Sequence, residues 1–221
     1  MLPILLPPKL DVKKLAEIQG KISKLVVIRD GFERIKRVAG CDISFAKSDR
    51  AWGACVVMDY ETLEVLDKNL VRVKLKFPYI PTFLAFRELE GMLKAVDGLE
   101  ADVYMVGAHG LAHPRRAGLA CHLGVALDKP TFGVAKSLLV GEAEEPADVR
   151  GSHTPLRDGE EIIGAAVRTN VGSKPVYVSV GHKITLESAI AITLHTTRGH
   201  RLPEPLLAAH RLATAEMKRE G

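Results

Sequence analysis

The chain is poor in cysteine, amide side chains and aromatics. Its three cysteines, Cys41, Cys55 and Cys121, are an odd number with no CxxC pair. That excludes a disulfide framework and points to reduced thiols in a cytoplasmic protein. Glutamine occurs once, at Gln19, and asparagine twice, at Asn69 and Asn170. Such scarcity of thermolabile amides fits a hot habitat. The apolar stretch MLPILLPP at 1–8 is too short to span a bilayer and too proline-rich for the core of a signal peptide, so no membrane partner is expected. GxGxxG and HExxH are both absent, which removes the dinucleotide fingerprint and the commonest zinc-protease signature. Charge of one sign is also lacking, with a net +4 over 221 residues. The cations are nevertheless clustered, as RIKR (34–37), RVKLK (72–76), RR (115–116) and RGHR (198–201). Each cluster can meet an anion; modest basicity fits nucleic acid without demanding it.

What is present supports one domain over 1–221, with 47% apolar residues to build its core. No repeat, linker or low-complexity tract interrupts it. Residues 11–28 carry helical spacing through Val12, Leu15, Ile18, Ile22 and Leu25. RVAGCDISF, AWGACVVMD and LEVLDKNLVRVKLKF read as successive strands with short connections, an antiparallel meander. TFLAFRELEGMLKAV reads as a helix with Thr82 placed to cap it. DVYMVG, PTFGVA, EIIGAAVRT and PVYVSVG then read as strands. AGLACHLGVAL, TLESAIAITLHTT and PEPLLAAHRLATAEMKR read as helices. The expectation is an α/β fold: a central mixed sheet, an antiparallel meander followed by parallel strands, flanked by helices.

Several residues break these patterns in chemically useful ways. Alternation puts Asp42 on one strand face with Val38, Gly40 and Ser44. Aspartate is disfavoured in strands, so it is either a solvent-facing residue or a metal-binding carboxylate on a rigid support. In VRVKLKFPYIP an apolar row alternates with the cations Arg72, Lys74 and Lys76. Pro78 and Pro81 restrain Tyr79 and Ile80 between them. That is a stiff turn, and either a half-buried tyrosine or a wedge that enters a base stack. Glu88 follows on the next helix, close to its apolar arc. MVGAHGLAHPRR (105–116) ends a buried strand abruptly at Gly107, with His109 and His113 four apart. Pro114 and the glycines make a helical zinc pair improbable there. Lys136 follows an apolar strand, a plausible phosphate contact or a solvated cation. His210 shares an apolar helix row with Leu206, Ala213 and Met217, either a core histidine or one poised over a site.

Taken in order, VAGCDISF, FPYIPTFLAFRE, HGLAHPRRAGLA, PTFGVAKSLLVGE, EIIGAAVRT, PVYVSVGHKI and RLPEPLLAAHRLA resemble the endonuclease V family. The likeness covers nearly the whole chain from about residue 11, and FPYIPTFLAFRE is highly specific. The resemblance implies a ribonuclease-H-like fold. It implies Mg²⁺-dependent hydrolysis, with Mn²⁺ as a substitute, of the second phosphodiester bond 3′ to a deaminated adenine. DNA containing deoxyinosine is then the partner, in repair, and RNA containing inosine in some members; a monomer is expected. By position, Asp42 and Glu88 match the metal-site acids, and Tyr79, within Pro78, Ile80 and Pro81, matches the wedge. Leu84, Gly110 and Leu139 match the wall of the pocket for the flipped base. His113 and Arg115 match the family's His-Pro-Arg segment, Lys136 a lysine near the scissile phosphate, and His210 a histidine beside the metal. The family's strand normally ends in Asp-Gly-His-Gly, so Gly107 stands where a third metal acid is expected.

Physically, two carboxylates with waters and substrate oxygens can still hold one Mg²⁺, more weakly. Asp102 is five residues upstream, more than ~15 Å away at ~3.3 Å per residue, and cannot substitute. A neutral imidazole at His109 suits softer ions. Losing an acid beside a phosphate eases repulsion. The expectations are therefore an endonuclease of impaired catalysis or, alternatively, a protein that binds inosine-containing nucleic acid without cutting it.

Overall fold

The computed structural model describes residues 11–220, so the apolar stretch at 1–8 lies outside the described residues. The elements run α1 (Val12–Leu25), β1 (Arg37–Phe45), β2 (Arg50–Asp59), β3 (Val65–Lys74), α2 (Leu84–Val96), β4 (Val103–Val106), α3 (Leu119–Leu127), β5 (Thr131–Ala135), β6 (His153–Asp158), β7 (Glu161–Val167), β8 (Val176–His182), α4 (Leu186–His195) and α5 (Glu204–Glu220). All eight strands form one sheet, in the order β3-β2-β1-β4-β5-β8-β7-β6. Strands β1 to β3 are the expected antiparallel meander. Parallel pairing is confined to β1-β4-β5. Beyond β5 the sheet returns to antiparallel pairing through β8, β7 and β6. Among the described residues, no helix is long and apolar enough to cross a membrane.

Helices cover both faces of the sheet. α4 and α5 pack on the face that carries Val38, Trp52, Met105 and Phe132. α2 and α3 pack on the face that carries Ala39, Cys41, Ile43 and Tyr104. Along β1 this division follows the period-two alternation of the strand. Helix α5 crosses β1 so closely that a Cβ on Gly40 would sit 2.1 Å from the carbonyl carbon of Pro205. Only glycine allows that approach. Helix α1 lies outside both layers, with Leu15 against Phe77, Phe83 and Phe86, and Ile22 against Ala117 and Cys121.

Two local expectations change. Strand β6 was not legible: its burial is confined to Leu156, and Pro155 marks it as an edge strand that tolerates a missing donor. Thr82 does not cap α2. Phe83 occupies the N-cap, without a side-chain cap bond. Thr82 instead takes a left-handed conformation at φ 65°, and its hydroxyl accepts a bond from Arg115. The donors gathered around Thr82 outweigh the cap it could have made.

His122 on α3 is fully buried, edge-on to Phe86 at 5.2 Å, and neither ring nitrogen has a partner. Burial first, then the nearby His113, pushes its pKa down to about 4. Unfolded histidine titrates near ~6.5, so between about pH 6.5 and 4 the unfolded chain binds more protons than the folded one. The stability of neutral His122 is full above that window and is lost as pH falls through it. We predict that His122→Phe reduces the loss of urea stability between pH 7.5 and 5 by about 2 kcal/mol. An equal loss in parent and variant would show that His122 does not contribute to acid lability.

Candidate active site

Strand β4 pairs with β1 only from Val38 to Cys41. β1 runs on past the end of its neighbour, so Asp42 stands beside Gly107, whose N–H donates to the Cys41 carbonyl at 3.0 Å. This is the carboxyl end of the parallel strands, where α/β folds place their sites. A cavity of about 440 Å³ opens there. Asp42, Glu88, Gly107, Lys136 and His210 all line it, together with Tyr79, Leu84, His113 and Leu139. Nine positions singled out from sequence thus converge, supplied by β1, α2, α5 and the loops before α2 and after β4 and β5.

The acids are poised against each other. Asp42 accepts a hydrogen bond from His210 Nδ1 at 2.6 Å. Its burial raises its pKa, opposed by the bond and charge of His210, the Ile43 N–H and the Lys136 ammonium. Glu88 is buried, and that burial, with the negative charge of Asp42, pushes it up to about 8 against the pull of Arg87. A half-buried and a buried hard-oxygen donor that resist being charged together fit a divalent cation, whose charge would relieve both costs. Among the described residues, no group of three or more His, Cys, Asp and Glu side chains is arranged to hold a metal. Asp42 and Glu88 are the two carboxylates that line the cavity.

Position 107 is open to an acid. Gly107 is exposed and is not among the positive-φ residues, so its backbone does not demand glycine. A Cβ there would lie 2.5 Å from Asp42 Oδ1. That atom is the tip of a rotatable side chain. The Asp42 carboxylate leans into space that a side chain at 107 would claim.

The proline-flanked turn sits at the cavity's rim. Tyr79 is 68% exposed, Pro78 and Pro81 are exposed, and Ile80 packs on the Phe77, Phe83 and Phe86 cluster. Arg87 donates to the Phe77 carbonyl at 2.6 Å, and Phe83 N–H to that of Ile80 at 3.0 Å. The Thr82 carbonyl accepts from Gln19 Nε2 at 2.8 Å, His113 Nε2 at 2.8 Å and the Arg115 guanidinium at 3.1 Å.

His113 and Arg115 therefore spend their polar atoms inside the protein. His113 Nδ1 accepts from the Arg115 N–H at 3.2 Å, and burial pushes its pKa down to about 4. Arg115 also donates to Gln19 Oε1 at 2.5 Å and to the Thr82 hydroxyl at 2.7 Å, over the Phe83 ring at 4.3 Å. Gly110 lies behind the cavity wall, its N–H on Ser179 Oγ at 2.9 Å; a Cβ there would meet the Val180 carbonyl oxygen at 2.0 Å.

Sequence reasoning missed Gln19, which lines the cavity and is fully buried. The signal was a polar residue at i+4 from Leu15 on the helix row that ends at Ile22. It also missed Arg201, whose guanidinium bonds the Lys136 carbonyl and so fixes the start of that loop.

The sheet order and the helices on both faces define a class, the ribonuclease-H-like α/β fold. Residues 20–211 match the family described as Endonuclease V. The Endonuclease V of Roseiflexus castenholzii is 45% identical over 210 residues, 94% of each chain. The crystal structure of the Endonuclease V from Streptomyces avermitilis superposes with a TM-score of 0.90 at 36% identity, covering 96% of this chain and 95% of that one. The Ciona intestinalis Endonuclease V was crystallised with a 24mer DNA containing an inosine followed by a ribo-adenosine. It superposes at a TM-score of 0.82 and 30% identity, covering 95% of this chain and 98% of that one. The chain belongs to the endonuclease V family.

Arg115→Lys should lower folding stability by about 2 kcal/mol, because one ammonium cannot reach Gln19 and both Thr82 oxygens and loses the Phe83 stack. Chemical denaturation measures this; unchanged stability would show that the network is idle.

Proposed function

We propose that this chain recognises hypoxanthine, the base of deaminated adenosine, in DNA and hydrolyses the second phosphodiester bond on its 3′ side, leaving a 5′-phosphate, as a step in repair. The observation that carries the reading is the convergence of Asp42 and Glu88, from opposite faces of one sheet, on a cavity rimmed by an exposed, rigidly held Tyr79. The inosine-containing DNA bound by the Ciona relative supports the choice of base. We read the chain as one cytoplasmic domain acting as a monomer, with inosine-containing RNA as a second substrate.

Tyr79 fills the gap left by an extruded base, and the apolar wall of Leu84 and Leu139 receives that base. The rigid turn matters because wedging works only if the aromatic ring does not yield. Lys136 meets the scissile phosphate as a point charge. His210 Nδ1–H keeps the Asp42 carboxylate oriented. Asp42 and Glu88 would hold one divalent cation, Mg²⁺ or Mn²⁺, which when bound neutralises the phosphate and lowers the pKa of the attacking water.

Gly107 contributes nothing to that ion. Two carboxylates hold it less firmly than three, and misplacement by ~1 Å costs about a hundredfold in rate. Base capture does not use position 107. This favours a second reading, a protein that binds inosine-containing nucleic acid and cuts it slowly or not at all.

The two readings separate on an inosine oligonucleotide in Mg²⁺, in Mn²⁺ and in chelator, with parent and Gly107→Asp side by side. We expect both to bind, and Gly107→Asp to cleave about a hundredfold faster in Mg²⁺. Equal rates would remove Gly107 as the defect, and absence of binding by both would sink the whole reading. Tyr79→Ala should lose affinity for inosine strands by about tenfold and for plain strands by much less. Equal losses on the two strands would rule out the wedge.

A further inference from the structure

We propose that Gln19 is a positioning residue for base capture: from a helix outside the sheet, its amide holds the Thr82 carbonyl and Arg115, and so fixes the turn that presents Tyr79. The inference rests on the reading of Tyr79 as the wedge, and extends it to a residue just outside the 20–211 match to the family.

The carboxamide is the only neutral side-chain group of this shape that gives and receives at once. Nε2 donates to Thr82 O at 2.8 Å, and Oε1 accepts from Arg115 Nε at 2.5 Å. Both atoms are used, and the residue is fully buried, so neither partner can be replaced by bulk water. What they hold is strained. Thr82 sits in the left-handed region at φ 65°, which costs a β-branched residue about 1–2 kcal/mol. Such a conformation persists only where its surroundings over-determine it. Three donors on one carbonyl oxygen do so, and Gln19 is the only one of them that comes from α1. His113 and Arg115 come from one short loop; Gln19 ties the turn to a second element, α1. That helix is itself anchored, by Leu15 under the phenylalanine cluster and by Ile22 against α3.

Geometry links this network to recognition. Thr82 is one residue from Pro81 and three from Tyr79. Gln19, Thr82 and Tyr79 line the same cavity. Without the Gln19 donor the Thr82 carbonyl is held from one loop only, by His113 and Arg115, and the strained turn is no longer tied to α1. Tyr79 then samples orientations that do not meet the base stack. The chain has one glutamine in 221 residues, and it stands at this junction.

The test measures the preference for a strand with one inosine over the same strand with adenine, in chelator so that nothing is cut. It uses the full chain, Gln19→Met, Gln19→Glu, Tyr79→Ala and the double variant Gln19→Met with Tyr79→Ala. Methionine keeps the volume and loses both bonds. Glutamate keeps the acceptor for Arg115, folds around that ion pair, and turns an acceptor toward Thr82 O. Both Gln19 variants should lower the preference at least about tenfold, the value of one buried hydrogen bond, and Gln19→Met should change it less than about twofold once Tyr79 is alanine. A preference kept in Gln19→Met, or lost to the same extent in the Tyr79→Ala background, overturns the inference. So does failure of both Gln19 variants to fold by circular dichroism, which would make Gln19 a folding residue. A parent chain with no preference for inosine defeats the functional reading itself, a result distinct from a preference that survives in Gln19→Met.

Discussion

Helix α5 rests on β1 at a separation that leaves room for a hydrogen atom and nothing larger at Gly40. Much of the site follows from this contact. With the helix backbone pressed onto the strand at Pro205, the next turn and a half brings His210 over Asp42. The opposite face of the same strand carries Ala39, Cys41 and Ile43 into the layer shared with α2. There, Gly91 lies against Ile43 and the backbone of α2 comes close to Gly53 of β2. Glu88 is one turn earlier on that helix. One strand, clamped from two sides by glycine-mediated contacts, therefore fixes an acid, its histidine partner and a second acid from the far face.

The electrostatic state of the pair is a direct result of that packing. Asp42 and Glu88 are taken out of water by elements that supply few compensating donors. Asp42 has His210, a backbone N–H and the charge of Lys136; Glu88 has, among the described residues, the charge of Arg87. A protein seeking stability alone would not place a buried carboxyl without a hydrogen-bond partner, such as Glu88, beside a second acid, since that costs several kcal/mol. Such a pair fits the proposed cation, whose charge would offset both. With glycine at 107 there is no third carboxylate, and Asp42 reaches His210 with one oxygen while the other lies where a side chain at 107 would begin.

Apolar runs and helical spacing were enough to read the meander, the buried strands and the helices, because β1, β2, β4 and β5 are almost continuously buried and the helices carry apolar arcs. Asp42 was legible because it is a charged residue within such a run, and Tyr79 because two prolines isolate it. Strand β6 was hidden by its own exposure: with only Leu156 buried, no hydrophobic pattern exists to be seen. The left-handed Thr82 was hidden because local propensity favours a cap there, and three donors from residues 31 to 63 positions away reverse it. Arg115 carries the same information as any exposed arginine in sequence. Its inward turn depends on Gln19 and Phe83, which only the assembled chain brings to it.

The bond between Asp42 and His210 spans 168 residues. Loop closure over such a length is costly and comes late, after local helices and hairpins have formed. A nascent polypeptide on the ribosome can thus complete its meander, its first acid and its tyrosine turn while the last helix is still unmade. Until α5 docks, Asp42 has no histidine to orient it and the cavity lacks one wall. The centre is thus closed by the last helix of the chain: the final piece of the fold is also the one that orients its first acid.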